Sequence, residues 1–217
     1  MEQHNDVAVA NADFVGGPPD EFDRLGREQL GVLLDHGLTF ESRLLDVGCG
    51  ALRGGRWVIP LLDPGHYCGI EPQPHMVERG LREFVSDGIV ELKQPRFDYN
   101  DQFDFSVFGV EFTHFIARSV WSHTSKQQIE LMLDGVAAHG TSDCVCLASF
   151  CPAGLFGAGD YKGDGWIGKS HESTEGGIVR HSLGWIRKAA AARGLQADIV
   201  RTRRVVRGQP WCIVTRG

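Results

Sequence analysis

The sequence has no excess of positive charge: 22 Lys and Arg stand against 28 Asp and Glu, a formal net charge of −6. A chain that grips nucleic acid needs a basic face, so no nucleic-acid partner is expected. No apolar run approaches the roughly 20 residues that cross a bilayer. The opening Met1-Glu2-Gln3-His4-Asn5-Asp6 is polar and acidic, unlike a secretory leader. No membrane is therefore expected, and the expected compartment is the cytoplasm. The six cysteines, Cys49, Cys68, Cys144, Cys146, Cys151 and Cys212, include no C-x-x-C pair. That spacing argues against a metal site and for reduced, buried thiols. Repeats are absent too. At 217 residues the chain is long enough for one domain with a substantial core.

Glycine, by contrast, is abundant at 28 residues, and its placement is informative. Leu44-Leu45-Asp46-Val47-Gly48-Cys49-Gly50 reads as a buried strand running into a glycine turn. Gly48 and Gly50 let the backbone turn sharply and approach a ligand. Asp46 interrupts the apolar run where a hydrophobic residue would pack better. A second strand, His66 to Ile70, ends in Glu71. An acid about 20 positions past such glycines is where α/β folds hold the hydroxyls of a nucleoside ribose. A nicotinamide dinucleotide and S-adenosylmethionine both satisfy that spacing. The sign of Asp46 separates them: a carboxylate repels a pyrophosphate at a helix N-terminus but suits a ligand carrying ammonium and sulfonium.

Asp46-Val47-Gly48-Cys49-Gly50 together with Gly69-Ile70-Glu71-Pro72 resembles motifs I and II of the class I S-adenosylmethionine-dependent methyltransferases. The wording from Phe14-Val15-Gly16 to Gly208-Gln209 is similar to a little-characterised bacterial subgroup. The resemblance implies a Rossmann-like, doubly wound α/β fold. Its sheet would be mostly parallel and seven-stranded, with a C-terminal antiparallel hairpin. It implies S-adenosylmethionine as cofactor and methyl transfer to a small-molecule acceptor, such as a sugar or secondary metabolite, by in-line displacement. The cofactor residues it implies are Asp46, Gly48, Cys49, Gly50, Arg53, Glu71, Pro72, Asn100, Asp101, Arg118 and Ser119. Arg53 is expected at the methionine carboxylate, and Asn100 and Asp101 at the adenine. Leu52 stands where the family often has a third glycine, so a reshaped turn is expected. The Asn/Asp-Pro-Pro-aromatic tetrad of amino-directed nucleic-acid methyltransferases is absent from the sequence. A nicotinamide-dependent oxidoreductase and a catalytically silent binding module remain as alternatives.

Along the chain, residues 1–13 read as a tail and 14–217 as a single domain. Asp20 is expected to cap a first helix carrying Phe22, Leu25, Leu30, Leu33 and Leu34, which Gly37 ends. Residues 53–62 predict a short crossover helix limited by Pro60. Pro74 suits the first turn of another helix, stopped near Gly88. Ile89-Val90-Glu91-Leu92 predicts the start of a third strand. Phe112 to Ala117 predicts a fourth, with Arg118 and Ser119 at its carboxyl end. Ser125-Lys126-Gln127-Gln128 is a capping box, Cys144 to Ala148 a fifth strand, and Ser182 the cap of a last helix ended by Gly194. Residues 197–202 and 211–215 predict the closing hairpin.

Residues 150–180 form a glycine-rich insertion with Tyr161, Trp166 and His171, long enough to be functional; it reads as a lid over the acceptor pocket. A hydroxyl acceptor needs a base near neutral pH, for which histidine is suited. His123 and His171 are the catalytic candidates; His181 reads as structural. Arg201, Arg203, Arg204 and Arg207 read as a solvated strand face.

Overall fold

A computed structural model describes residues 21–168, 175–200 and 209–217. Asp20, the lid's His171 and the arginines at 201–207 lie outside the described residues. Seven strands form one sheet: β1 (Leu44–Val47), β2 (Tyr67–Ile70), β3 (Arg96–Asp98), β4 (Phe112–Ala117), β5 (Gly140–Ser149), β6 (Leu195–Ile199) and β7 (Trp211–Arg216). Their order is β3-β2-β1-β4-β5-β7-β6. All ladders from β3 to β5 are parallel, and β7 runs antiparallel to both β5 and β6. The expected doubly wound sheet with a terminal antiparallel hairpin is the observed one.

The strands sort their side chains by period two onto two covered faces. Leu45, Val47 and Phe115 join a core with helices α5 (Lys126–His139) and α6 (Leu183–Ala191). Leu44, Tyr67, Ile116 and Trp211 join another with α1 (Phe22–Asp35), α2 (Gly55–Val58) and α3 (Pro74–Phe84). α1 places Phe22, Leu25, Glu28 and Val32 on its buried face at spacings of three and four. Gly37, at φ 90°, follows its end, and Gly194, at φ 70°, follows that of α6. All six cysteines are free and buried.

Four local expectations need correction. Ile89–Leu92 is not strand but part of helix α4 (Asp87–Lys93). Ser86 sits at its N-cap with Asp87 in the first turn, and the chain reverses at Gln94 (φ 49°) before β3. Gly88 therefore lies inside α4, and α3 stops earlier, where Val85 turns extended (φ −121°). The crossover helix shrinks to Gly55–Val58, because Pro60 lacks a donor and turns surround it. Ser182 occupies the N-cap of α6 without a side-chain bond; instead its amide donates to Asp160 Oδ1 at 2.9 Å.

The box at Ser125 is complete: Gln128 N–H donates to Ser125 Oγ, and the Gln128 side chain accepts from Ser125 N–H. Ser125→Ala should lower stability by about 1 kcal/mol, read as a lower urea midpoint at unchanged slope; an unchanged midpoint would show the box to be redundant.

Candidate active site

β1 ends at Val47, and the chain turns through Gly48 (φ 70°) and Gly50 (φ 53°). These are left-handed conformations that glycine adopts without strain. The amides of Gly48 and Cys49 both donate to the Ile70 carbonyl, at 2.8 and 3.1 Å, so the turn is tied to the end of β2. A Cβ on Gly48 would strike Val120, whereas one on Gly50 would meet nothing within 4 Å. Leu52 itself takes the left-handed backbone (φ 58°) while fully buried. That conformation costs a non-glycine residue about 1–2 kcal/mol, which the burial of its side chain offsets.

Beyond this turn lies a cavity of about 290 Å³ at the carboxyl ends of β1, β2 and β4, where ligands bind in open α/β sheets. Gly48, Cys49, Gly50, Arg53, Glu71, Pro72, Asn100, Asp101, Arg118, Ser119 and His123 all line it. Glu71 Oε2 accepts from Gly50 N–H at 3.0 Å and Oε1 from Gln73 N–H at 3.2 Å. Burial raises its carboxyl from 4.5 to about 6 despite those two bonds, and the nearby charge of Asp46 adds to the rise.

Asp46 is not among the lining residues. It is 4 % exposed, and its Oδ2 accepts from Tyr67 O–H at 2.7 Å. Burial raises it from 3.8 to about 6, against the lowering effects of Tyr67 and Arg53. Its charge therefore acts from beneath the turn rather than by facing the cavity.

Asn100 is already committed to its own loop. Its amide donates to Asp98 Oδ1 and to the Asp104 carbonyl, and its oxygen accepts from Asp104 N–H. Those bonds leave it less able than Asp101 to read an adenine edge. Asp101 is exposed, with Oδ1 accepting from Gln102.

Arg118 sits in a buried polar network. Its guanidinium donates to Ser119 Oγ, Ser149 Oγ and Gln209 Oε1, the last at 2.6 Å. It also pairs with Glu28 at 3.6 Å and lies over the Trp211 ring. Trp211 Nε1 donates to the other Glu28 oxygen at 2.9 Å. Burial raises the Glu28 carboxyl, and Arg118 is the first of the groups opposing that rise. Sequence reasoning missed Glu28 and Gln209. Glu28 had a signal, since its spacing from Leu25 and Val32 puts an acid on an apolar helix face. Gln209 had none apart from the resemblance.

His123 Nδ1 lies 2.6 Å from the Ile167 carbonyl, and its ring stacks on Trp166 with centroids 5.5 Å apart. Burial lowers its pKa, while the Ile167 and Gly177 backbones oppose that effect. The backbones pair as well: Ile167 N–H donates to His123 and Val179 N–H to Ser122. His123 thus joins the 150–180 segment to the loop after β4. Trp166 lines the cavity; Tyr161 does not, and bonds the Gly165 carbonyl instead. His181 is fully buried with Nε2 at the Thr124 carbonyl. No cluster of three metal-ligating side chains occurs among the described residues.

A family model described as a methyltransferase domain matches residues 45–146. Among solved structures, magnesium protoporphyrin IX methyltransferase from Synechocystis PCC 6803, with bound S-adenosylhomocysteine, superposes with a TM-score of 0.63 at 17 % identity. That match covers 96 % of this chain and 91 % of the other. DesVI of Streptomyces venezuelae gives 0.64 at 15 % identity, covering 90 % and 93 %. An S-adenosylmethionine-dependent methyltransferase from Clostridium acetobutylicum ATCC 824 gives 0.62 at 13 %, covering 90 % and 92 %. No curated protein matches the sequence. At these identities the structures share the fold.

The raised carboxyl of Asp46 has a definite sign. The folded chain holds this proton more tightly than the unfolded chain, so its stabilising contribution is full below 3.8 and is lost as pH rises through about 6. Asp46→Asn keeps an acceptor for Tyr67 and removes the buried charge. It should raise stability of the ligand-free protein above neutral pH by on the order of 1–3 kcal/mol. Urea unfolding at about pH 5 and about pH 7.5 reads this. Equal stability of wild type and variant at the higher pH would show that the burial is not costly.

Proposed function

We propose that this chain is a class I S-adenosylmethionine-dependent methyltransferase that methylates a small-molecule acceptor such as a sugar or secondary metabolite, a reading supported by the methyltransferase-domain match over residues 45–146 and by the shared fold. The observation that carries the reading is the pair of buried carboxylates at the glycine turn. Asp46 and Glu71 are both raised to about 6 by burial, and Asp46 raises Glu71 further. Two acids at the turn, Glu71 on the cavity wall and Asp46 beneath it, disfavour a diphosphate there and favour a cationic nucleoside, while Arg53 and Arg118 on the wall suit its carboxylate. The cradle also fits such a group: Gly50 has open space above it, and Glu71 stands at the end of β2 with further lone pairs for ribose hydroxyls.

When bound there, S-adenosylmethionine supplies an electrophilic methyl group on its sulfonium. The chain's residues divide the remaining work. Gly48, Cys49 and Gly50 form the turn that cradles the donor, with Pro72 beside Glu71 at the sugar end. Asp101 takes the adenine edge in preference to Asn100. Arg53, Arg118 and Ser119 serve the amino-acid end, with Arg118 held in place by Glu28, Ser149 and Gln209. Val120, Gln128 and Trp166 shape the acceptor side.

Segment 150–180 is the lid, and His123 is its clasp. Its Nδ1 is taken up by the Ile167 carbonyl, so catalysis rests on alignment and exclusion of water. The lid histidine, His171, remains the candidate for a base if the acceptor is a hydroxyl. The domain runs from residue 14 to 217, and the buried free thiols fit a cytoplasmic setting.

Calorimetry should show S-adenosylhomocysteine binding in the micromolar range and no binding of NADH. Glu71→Ala should weaken that binding at least tenfold, about 1.4 kcal/mol, without unfolding the protein. Binding of NADH alone would overturn the proposal. His123→Ala should leave donor affinity within about threefold and expose residues 150–168 to limited proteolysis. Unchanged proteolysis together with a lost pH dependence of turnover would make His123 the base instead.

A further inference from the structure

The most exposed large apolar side chains among the described residues lie outside the cavity. Leu155 is 87 % exposed and Phe156 is 107 % exposed, side by side at the tip of a tight turn. The turn is braced from within: Gly157 N–H donates to Gly154, Ala158 N–H to Leu155, and Gly154 N–H to Ala158. Phe156 holds a left-handed backbone (φ 56°), a conformation unusual for an aromatic residue and associated with function. A braced turn that pushes two bulky apolar groups into water does not serve packing.

The surroundings say what the pair would meet. Leu155 and Phe156 border a shallow depression with Trp185 and Lys188. Trp185 is half-buried and Lys188 exposed. Arg180, also exposed, reaches the same turn, with Cδ beside Gly159 and its guanidinium donating to the Pro152 carbonyl. The acid in that depression, Asp160, is neutralised by Lys126. The patch thus combines apolar tips, a tryptophan and a basic rim on a chain whose formal charge is −6.

We infer that this turn is a peripheral docking site for an anionic lipid surface, with Leu155 and Phe156 entering the headgroup region and Arg180 and Lys188 facing the phosphates. Apolar side chains flanked by cations are the composition that holds a protein at such an interface. A second copy of the chain fits worse. A two-fold contact through this patch would bring the Arg180 and Lys188 cations of both copies into one interface. No helix among the described residues is long and apolar enough to cross a membrane, so the contact is superficial.

The test is co-sedimentation of the full chain with vesicles of phosphatidylcholine and phosphatidylglycerol, about 70:30, against phosphatidylcholine alone, in low salt. Binding to the anionic vesicles is expected, with release at high salt. The double variant Leu155→Ser, Phe156→Ser should lower the bound partition at least tenfold while keeping the wild-type melting temperature and affinity for S-adenosylhomocysteine. Charge reversal by Lys188→Glu should lower it at least fivefold. Three results would each overturn the inference: no binding to anionic vesicles, equal binding of the double variant, or a dimer in sedimentation velocity that the double variant dissolves.

Discussion

The site depends on one backbone junction, the Ile70 carbonyl accepting from both Gly48 and Cys49. It forms because β1 and β2 pair in parallel, with Val47 opposite Ile70. That register brings the end of one strand level with the end of the next. Glu71 then falls directly across the glycine turn, where Gly50 N–H reaches its carboxylate. Every later feature of the cavity is built outward from this crossing, including the coupling of two buried acids far apart in sequence.

The wall opposite is held by charge rather than by the backbone. Glu28 and Arg118 are each about 3 % exposed. Burying two charges costs several kcal/mol unless their remaining hydrogen-bonding groups are satisfied. Here Trp211, Ser149 and Gln209 supply partners from two further segments, the end of β5 and the terminal hairpin. The network ties α1, the end of β4, the end of β5 and the terminal hairpin to a single point on the cavity. It therefore makes the N-terminal helix and the last strand part of the site, although both lie outside the matched residues 45–146.

The ten lining residues assigned to the cofactor by resemblance come from four separate stretches, and the fold collects them on one cavity. Their legibility came from local grammar: a buried strand, a positive-φ glycine turn, and an acid one strand later. The failures were also local. Ile89-Val90-Glu91-Leu92 is short and apolar, which suits strand and helix equally, and the Ser86–Asp87 start decided for helix. Asn100 has the chemistry to read a base, but its three bonds within the loop are invisible in sequence. Asp46 was expected to face the ligand; Tyr67, on the adjacent strand β2, donates to one of its oxygens, and the carboxylate stays below the surface.

Outside residues 86–98, the sequence by itself determined the order of elements, the two-faced sheet and the position of the glycine crossing. These follow from side-chain period, chain punctuation and the conformational freedom of glycine, all of them properties of neighbours along the chain. Only the tertiary structure decided which acid lines the cavity, which histidine nitrogen is already taken, and that Glu28 supports Arg118 from 90 positions away. Hydrogen-bond partners and desolvation belong to the packed environment of a group, and residue type alone does not fix that environment.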